Sequence, residues 1–342
     1  METVLVLMHV EADGSLAKSA LEALGAAKSL GGTLVVGLIG ANVQAAASAI
    51  AGCGAAKFLG VSGTVFSQAR YGTDAAAAEA LCRAAKATLV IAPATSRWNR
   101  VLSGVAHRLG GRSDTHVTGI SAATTQGVGV TRWYYRQRME AVLQRTQRPW
   151  FIALESGCGE AWKGSAGTAK IEAVVVTLSE TATRTSVSGV KAPASDQQTI
   201  RPDAKILFVA GAGWTKKQSD GQTHTDEAGE IILKFLGLTK ASLGSSKSLV
   251  DLSGEGQSVL PFMSHLNQVG QTGATPRHPK GLSTCCHGEE PHAVGWRFIS
   301  ERRAVNLDPN CGWARGKADV LYVADAFEVM RKVNALLGTT KT

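Results

Sequence analysis

Four short aliphatic runs, each followed by a helix-patterned segment, fill the first 109 residues and constrain the fold more than any motif does. The runs are residues 4–8 (Val-Leu-Val-Leu-Met), 33–39, 57–60 and 89–91, of which 57–60 is the weakest and reads as an edge strand. Between the first two, Leu16, Ala20, Leu21, Leu24 and Ala27 recur at helical spacing. Asp13 to Ser15 offers that helix an N-cap, and Gly31 and Gly32 end it. Residues 41–51 are alanine-rich and helical in pattern, Asp74 is placed to cap a helix reaching Lys86, and another helix covers 101–109. Near-continuous apolar strands are buried on both faces, and their alternation with helices predicts strand–helix–strand units in a parallel sheet. The chain is 44% hydrophobic but only 6% aromatic, so its core is aliphatic.

The pattern changes after Gly110. Residues 116–178 read as several strands with short turns, at 128–130, 141–143, 150–154 and 171–178, which extend or flank the sheet. Arg132, Arg136, Arg138, Arg145 and Arg148 stand here among Trp133, Tyr134 and Tyr135. Arginine interleaved with aromatic residues can hold single-stranded nucleic acid. No nucleic-acid motif accompanies it, and a solvated or subunit-facing strand pair is the better reading.

Residues 179–201 are rich in Ser, Thr and Ala, include Pro193 and carry few apolar side chains, which marks a linker. The division that follows is a domain over 1–183, a linker over 184–201 and a second domain over 202–342. Residues 204–209 open a second sheet, followed by Gly211 and Gly213 and by a helix over 226–236. Glycines between strand and helix let backbone approach a phosphate, although tight turns use them as often. Residues 242–244 end another strand and 320–323 form the last. Asp325 caps a C-terminal helix that carries Phe327, Val329, Met330, Val333 and Leu336.

The formal charge of +9 suits docking to an acidic partner. Six cysteines without Cys-x-x-Cys spacing argue against a disulfide framework. Cys285, Cys286, His287 and Cys311 make poor chelate geometry, so no metal site is expected. No apolar run reaches the ~18–20 residues of a membrane span. A strand at Val4 leaves no room for a leader, which points to a bacterial cytoplasm. No nucleophile–base set is visible, and no catalytic residue is assigned.

The polar chemistry concentrates between Ser246 and Asp325. Its centre is Gln268-Val-Gly-Gln-Thr-Gly273, too small and amide-rich to be core and suited to a turn that faces something flat, polar or anionic. Gly281, the Cys285 to Gly288 run, His292 and Val305-Asn-Leu-Asp-Pro309 follow within ~45 residues, as a cofactor cradle or as two ordinary polar loops.

Ser246-Lys-Ser-Leu-Val-Asp251, the Gln268 hexapeptide, His292, Val305-Asn-Leu-Asp-Pro309 and Val323-Ala-Asp-Ala-Phe-Glu-Val329 occur in an order and spacing that resemble the alpha subunit of electron transfer flavoproteins. The strand order of the first domain and its Pro93-Ala-Thr95 strand end also resemble that family. The resemblance implies an α/β chain of two domains: an N-terminal, adenine-hydrolase-like parallel-sheet domain for subunit pairing and a C-terminal, Rossmann-like FAD-binding domain. A beta subunit completes the heterodimer. Electrons arrive from a flavin-dependent dehydrogenase and leave to a quinone oxidoreductase or another acceptor. The resemblance also implies cofactor contacts. Val269, Gly270, Gln271 and Thr272 wrap the flavin ring and ribityl chain, with Thr272 bonding near flavin N5, and Gln268 is a further cofactor contact. Ser246 contacts the pyrophosphate or ribityl chain, Lys247 lies at the ring edge, His292 sits by flavin O2, and His287 and Gly288 are further cofactor contacts. Asn306 and Asp325 face the ADP half, and Ala212 and Gly213 form the glycine turn. One of Arg132, Arg136 or Arg138 approaches the cofactor.

The chain departs from the family at named places. Lys247 stands where the family has Arg, and a point ammonium does not reproduce a planar fork. Ala212 also replaces an Arg. His287-Gly-Glu-Glu-Pro-His292 replaces Ser-Gly-Ala-Ile-Gln-His, and 252–266 is longer by several residues. Three alternatives stay open: an adenine-nucleotide-binding structural subunit that has lost flavin, an electron-bifurcating variant, and a standalone oxidoreductase or hydrolase.

Overall fold

A computed structural model of the chain describes residues 2–124, 127–134, 139–189, 200–201, 204–251, 259–269, 278–284, 299–310 and 318–339. The chain divides into two compact units, Met1–Val190 and Lys191–Thr342. Each is an α/β unit built on its own sheet.

The first sheet has nine strands. They are β1 (Thr3–His9), β2 (Thr33–Gly40), β3 (Lys57–Ser62), β4 (Leu89–Pro93), β5 (Arg112–Thr124), β6 (Gly127–Tyr134), β7 (Met139–Gln144), β8 (Trp150–Leu154) and β9 (Ile171–Ala173), in the spatial order β7-β6-β5-β8-β4-β1-β2-β3-β9. All neighbours pair in parallel except β5 with β6 and β6 with β7, which are antiparallel. Short connections allow antiparallel pairing, whereas parallel neighbours need a crossover. That is why the sheet changes character where the helix-patterned segments stop.

Alternation along each strand serves two cores. Val4, Val6, Met8, Val36, Leu38 and Ile152 face one side, where α1 (Lys18–Ser29) and α2 (Gln44–Ala49) supply Ala23, Leu24 and Ala47. Leu5, Leu7, Val35, Ile39 and Phe151 face the other, with Ala78 and Leu81 of α3 (Tyr71–Ala85) and Val105 of α5 (Leu102–Arg108). The short α4 (Ser96–Asn99) precedes α5. Methyl side chains on α3 let it lie close against the sheet, and at Gly37 a Cβ would stand 3.1 Å from both Leu5 and Leu7.

Four local readings of the sequence are corrected. Residues 57–60 are not at an edge: β3 lies between β2 and β9. Asp13 accepts from the Ser15 backbone at 2.9 Å, while α1 starts later, after Ala17. Asp74 is not a cap, because α3 begins at Tyr71 and Asp74 faces inward, fully buried. The strand read as 171–178 pairs only through Ala173, after which Val174, Val176 and Leu178 continue along the second core face.

The second sheet is wholly parallel: β10 (Ile206–Ala210), β11 (Ser242–Ser245), β12 (Lys280–Thr284), β13 (Glu301–Asn306) and β14 (Val320–Val323), in the order β11-β10-β12-β13-β14. Helices α6 (Thr225–Thr239) and α8 (Ala326–Thr339) bury Ile232, Phe235, Phe327 and Met330 against one face, with Phe208 and Leu243 beneath them. Leu207, Val209, Val269, Ile299 and Ala304 form a smaller core on the other face. The five-residue α7 (Lys247–Asp251) follows β11 directly.

Candidate functional site

The polar residues singled out in the sequence converge, where described, on the carboxyl ends of the second sheet. Beyond β10, Ala212–Thr215 forms a 3-10 turn whose four residues are buried. Gly211 N–H donates to Thr284 O at 2.8 Å, Trp214 Nε1 donates to Thr284 Oγ1 at 2.8 Å, and Thr284 Oγ1 donates to Val209 O at 3.2 Å. These bonds tie the ends of β10 and β12, and the Trp214 indole packs 4.6 Å from Phe327. A separate excursion, bridged from Lys217 to Thr223, intervenes before α6 starts at Thr225. Ala212 and Gly213 are therefore not at a helix N-terminus, and the helix-dipole route to phosphate binding is not built into this loop.

At the end of β11, Ser246 N–H donates to Ala210 O at 2.9 Å, and Ser246 Oγ accepts from Leu249 N–H at 3.3 Å. Next to it, Ser245 Oγ is buried without a hydrogen-bond partner among the described residues. Gln268 bridges to Ser245, and Val269 N–H donates to Ser245 O at 3.1 Å. Asn267 fixes the approach: its side chain donates to Leu243 O at 3.3 Å and closes a capping box with Ser264. Val269 is fully buried and lies against Gly244, where a Cβ would stand 2.6 Å from Val269 Cγ2. The amide-rich hexapeptide thus leaves β11 from a rigid start.

Lys247 is already engaged. Its Nζ lies 3.0 Å from Asp251 Oδ2, while His265 Nε2 lies 2.8 Å from Asp251 Oδ1. Lys247 first, then His265, hold the Asp251 carboxyl below its ordinary range.

Asn306 ends β13, buried, and its Oδ1 accepts from Asp308 N–H at 3.3 Å. Ala324 N–H donates to Asn306 O at 3.2 Å, joining the ends of β13 and β14. Asp325 Oδ1 accepts from Glu328 N–H at 3.0 Å and caps α8 as the sequence implies. Gly213, Gln218, Asn306, Leu307 and Asp325 line one small cleft. Of the other assigned residues, Gly270, Gln271, Thr272, His287, Gly288 and His292 lie outside the described residues, as do Cys285, Cys286, Cys311, Arg136 and Arg138.

Two charged clusters of the first unit escaped sequence reasoning. Fully buried Asp74 receives Arg97 through Nε at 2.8 Å and Nη2 at 2.6 Å, and Arg97 also donates to the carbonyls of Phe66, Ser67 and Gln68. His9, at the end of β1, stacks on Trp98 at 4.1 Å and stands 3.4 Å from Asp74, a looser approach than a full hydrogen bond. Burial pushes the His9 pKa down, and the Asp74 carboxylate offsets this only in part. Burial alone would raise the Asp74 pKa, but Arg97 and His9 outweigh it and hold the carboxyl below its ordinary value. His9, Thr95, Arg97 and Trp98 line a cleft at the carboxyl ends of β1 and β4. A histidine directly after an aliphatic strand was the one available signal; its partners lie 65 and more residues away.

The second cluster explains the basic–aromatic segment. Buried Asp114 accepts from Arg132 Nη1 at 2.8 Å, from Arg145 through both Nε and Nη2, and from Trp150 Nε1 at 2.8 Å. Arg132 also lies over the Tyr134 ring, 4.4 Å from its centroid. Arg148 pairs with Glu2. Three of the five arginines are therefore committed to carboxylates within the unit.

Among the described residues no group of three or more His, Cys, Asp or Glu is placed to hold a metal ion, and no helix is long and apolar enough to cross a membrane. A search of curated proteins finds no match to this chain. The family model described as the electron transfer flavoprotein domain matches residues 4–180, more than half of the sequence, and the chain therefore belongs to the electron transfer flavoprotein family.

Proposed function

We propose that this chain is the alpha subunit of an electron transfer flavoprotein, pairs with a beta subunit, and holds FAD along the carboxyl edge of its second sheet. The observation that carries this reading is the convergence of Ala212, Gly213, Ser246, Lys247, Asn306 and Asp325 on that one edge. The strand order reverses between β10 and β12, and open parallel sheets bind ligands outside the carboxyl ends at such a point. The buried Ser245 hydroxyl fits a ligand there, since an unsatisfied polar group costs about 1–3 kcal/mol that a ligand atom would remove.

FAD, when bound, supplies a ring that takes up and releases electrons; the chain holds it, excludes water and sets its potential. By the resemblance of the Gln268 hexapeptide to the family motif, Val269 to Thr272 would hold the ring and ribityl chain. Ser246, whose oxygen accepts from Leu249 N–H, keeps its own proton to donate. Asn306 and the Asp325 oxygen not used on α8 bind toward the ADP half. His292 and Thr272 provide donors at the ring. The chain transforms no substrate. It accepts electrons from a flavin-dependent dehydrogenase and yields them to a quinone oxidoreductase or another acceptor. Its net charge of +9 favours docking to acidic patches, with association that weakens as salt rises.

The test is the absorbance spectrum of the chain purified with a beta subunit. Flavin bands near one equivalent are expected. Asn306→Ala and Thr272→Ala are expected to weaken flavin affinity by roughly fivefold to a hundredfold, the equivalent of ~1–3 kcal/mol. A colourless complex that takes up no added FAD overturns the flavin reading and leaves an adenine-nucleotide-binding subunit in its place.

A further inference from the structure

We infer that Asp251 is a positioning residue of the proposed flavin site: its carboxylate, clamped by His265, holds the Lys247 ammonium along α7 and withholds that charge from the cofactor. The inference rests on the flavin reading above. Lys247 and Asp251 are four residues apart on α7 and so share one helix face. The two carboxylate oxygens are divided, Oδ2 to Lys247 at 3.0 Å and Oδ1 to His265 at 2.8 Å. His265 reaches Asp251 from beyond residues 252–264, so the clamp joins two separate segments of the chain.

A lysine head is a point charge on a flexible stem and can be drawn to one side, where a planar arginine fork would keep several donors for other partners. Ser246, which precedes Lys247, follows β11 and is tied to the end of β10 by its bond to Ala210 O, so a released Lys247 side chain starts beside the ligand edge. Reduction adds negative charge to the ring. A lysine held by Asp251 stabilises the reduced form less than a free one does, and the pair therefore keeps the potential low. The side chains are partly open, with 52% of Lys247 and 33% of Asp251 exposed, so the effect has the size of a solvent-screened pair.

Asp251→Asn keeps the side-chain shape and removes the charge, and two measurements on the heterodimer test it. In flavin-free protein, acylation of Lys247 by a mild amine reagent, followed by peptide mass spectrometry, is expected to speed up about two- to fivefold as the ammonium is released. In flavin-loaded protein, the ratio of affinities for reduced and oxidised flavin is expected to rise about two- to fivefold, read as an upward shift in potential. Asp251→Glu is expected to restore most of the wild-type value. In a Lys247→Gln background, Asp251→Asn is expected to shift nothing, which separates a role through Lys247 from a direct field or a structural role. Unchanged Lys247 reactivity, an unchanged potential, or an equal shift in the Lys247→Gln background overturns the inference. Raised Lys247 reactivity in Asp251→Asn, found together with a wild-type complex that binds no flavin, overturns the flavin reading instead, and with it the role assigned to Asp251.

Discussion

The two sheets treat charge in opposite ways. The first seals ionised groups inside: Asp74 and Asp114 are both fully buried, and each is surrounded by arginine, indole or imidazole. Among the described residues the second leaves carboxylates half-exposed at the carboxyl edge: Asp251 pairs with Lys247 on the five-residue α7, and Asp325 caps α8. A buried ion pair is weak evidence for net stability, but removing one partner leaves an uncompensated charge and is severe. An exposed pair can change with little effect on folding. The first unit is thus arranged to hold a shape and the second to present groups to something outside it.

The sharpest way to break this contrast is Asp114→Ala. It strands Arg132, Arg145 and the Trp150 indole together, and about 3–5 kcal/mol of the first unit's stability is expected to disappear in a urea titration. A loss below about 1 kcal/mol would mean that the two guanidinium groups find water and that the cluster is no brace.

Next in size is the acid response of the His9–Asp74–Arg97 cluster. Burial keeps His9 neutral in the fold, whereas the unfolded chain binds a proton near the ordinary histidine pKa of about 6.5. Its contribution is whole above that value and declines as pH falls below it. Asp74, also depressed, adds a further loss as pH falls below the ordinary aspartate range. Melting the protein from pH 7 to pH 5 is expected to show the decline, and His9→Gln is expected to flatten its upper part. A first unit whose melting ignores pH over that range would remove the contrast with the open second edge.

The smallest change is also the most local. Gly244→Ala places a methyl 2.6 Å from Val269 Cγ2, and about 1–3 kcal/mol of strain is expected in the second unit. Because Val269 leads into the amide-rich hexapeptide, flavin retention is expected to fall further than stability does. Equal loss in both would show that the β11–Val269 contact serves packing alone.

Most of the fold was legible because its signals are local. Aliphatic runs of four to eight residues and helical spacing announce strands and helices, and the turn to antiparallel pairing after Gly110 was visible as the loss of helix-patterned segments. The Asp74 cap and the edge were misread because the deciding partner is distant. Asp74 looks like a cap within its own segment and becomes a buried ligand of Arg97 only when α3 and the chain after β4 meet. Residues 57–60 look like an edge until β9, more than a hundred residues later, pairs with β3. The candidate site follows the same division. Gln268, Asn306 and Asp325 were singled out by the resemblance of their motifs and stand at the carboxyl edge of the second sheet, while the commitment of Lys247 to Asp251 and His265 was not visible.

The strand–helix alternation, the aliphatic core, the change in the first sheet and the polar stretch of the second can all be read from residues a few positions apart. Only the tertiary structure decided which charges are neutralised and by whom: Arg132 and Arg145 on Asp114, Arg97 on Asp74, Lys247 on Asp251. The physical reason is that secondary structure depends on neighbours along the chain, whereas the energy of a charge depends on what surrounds it in space.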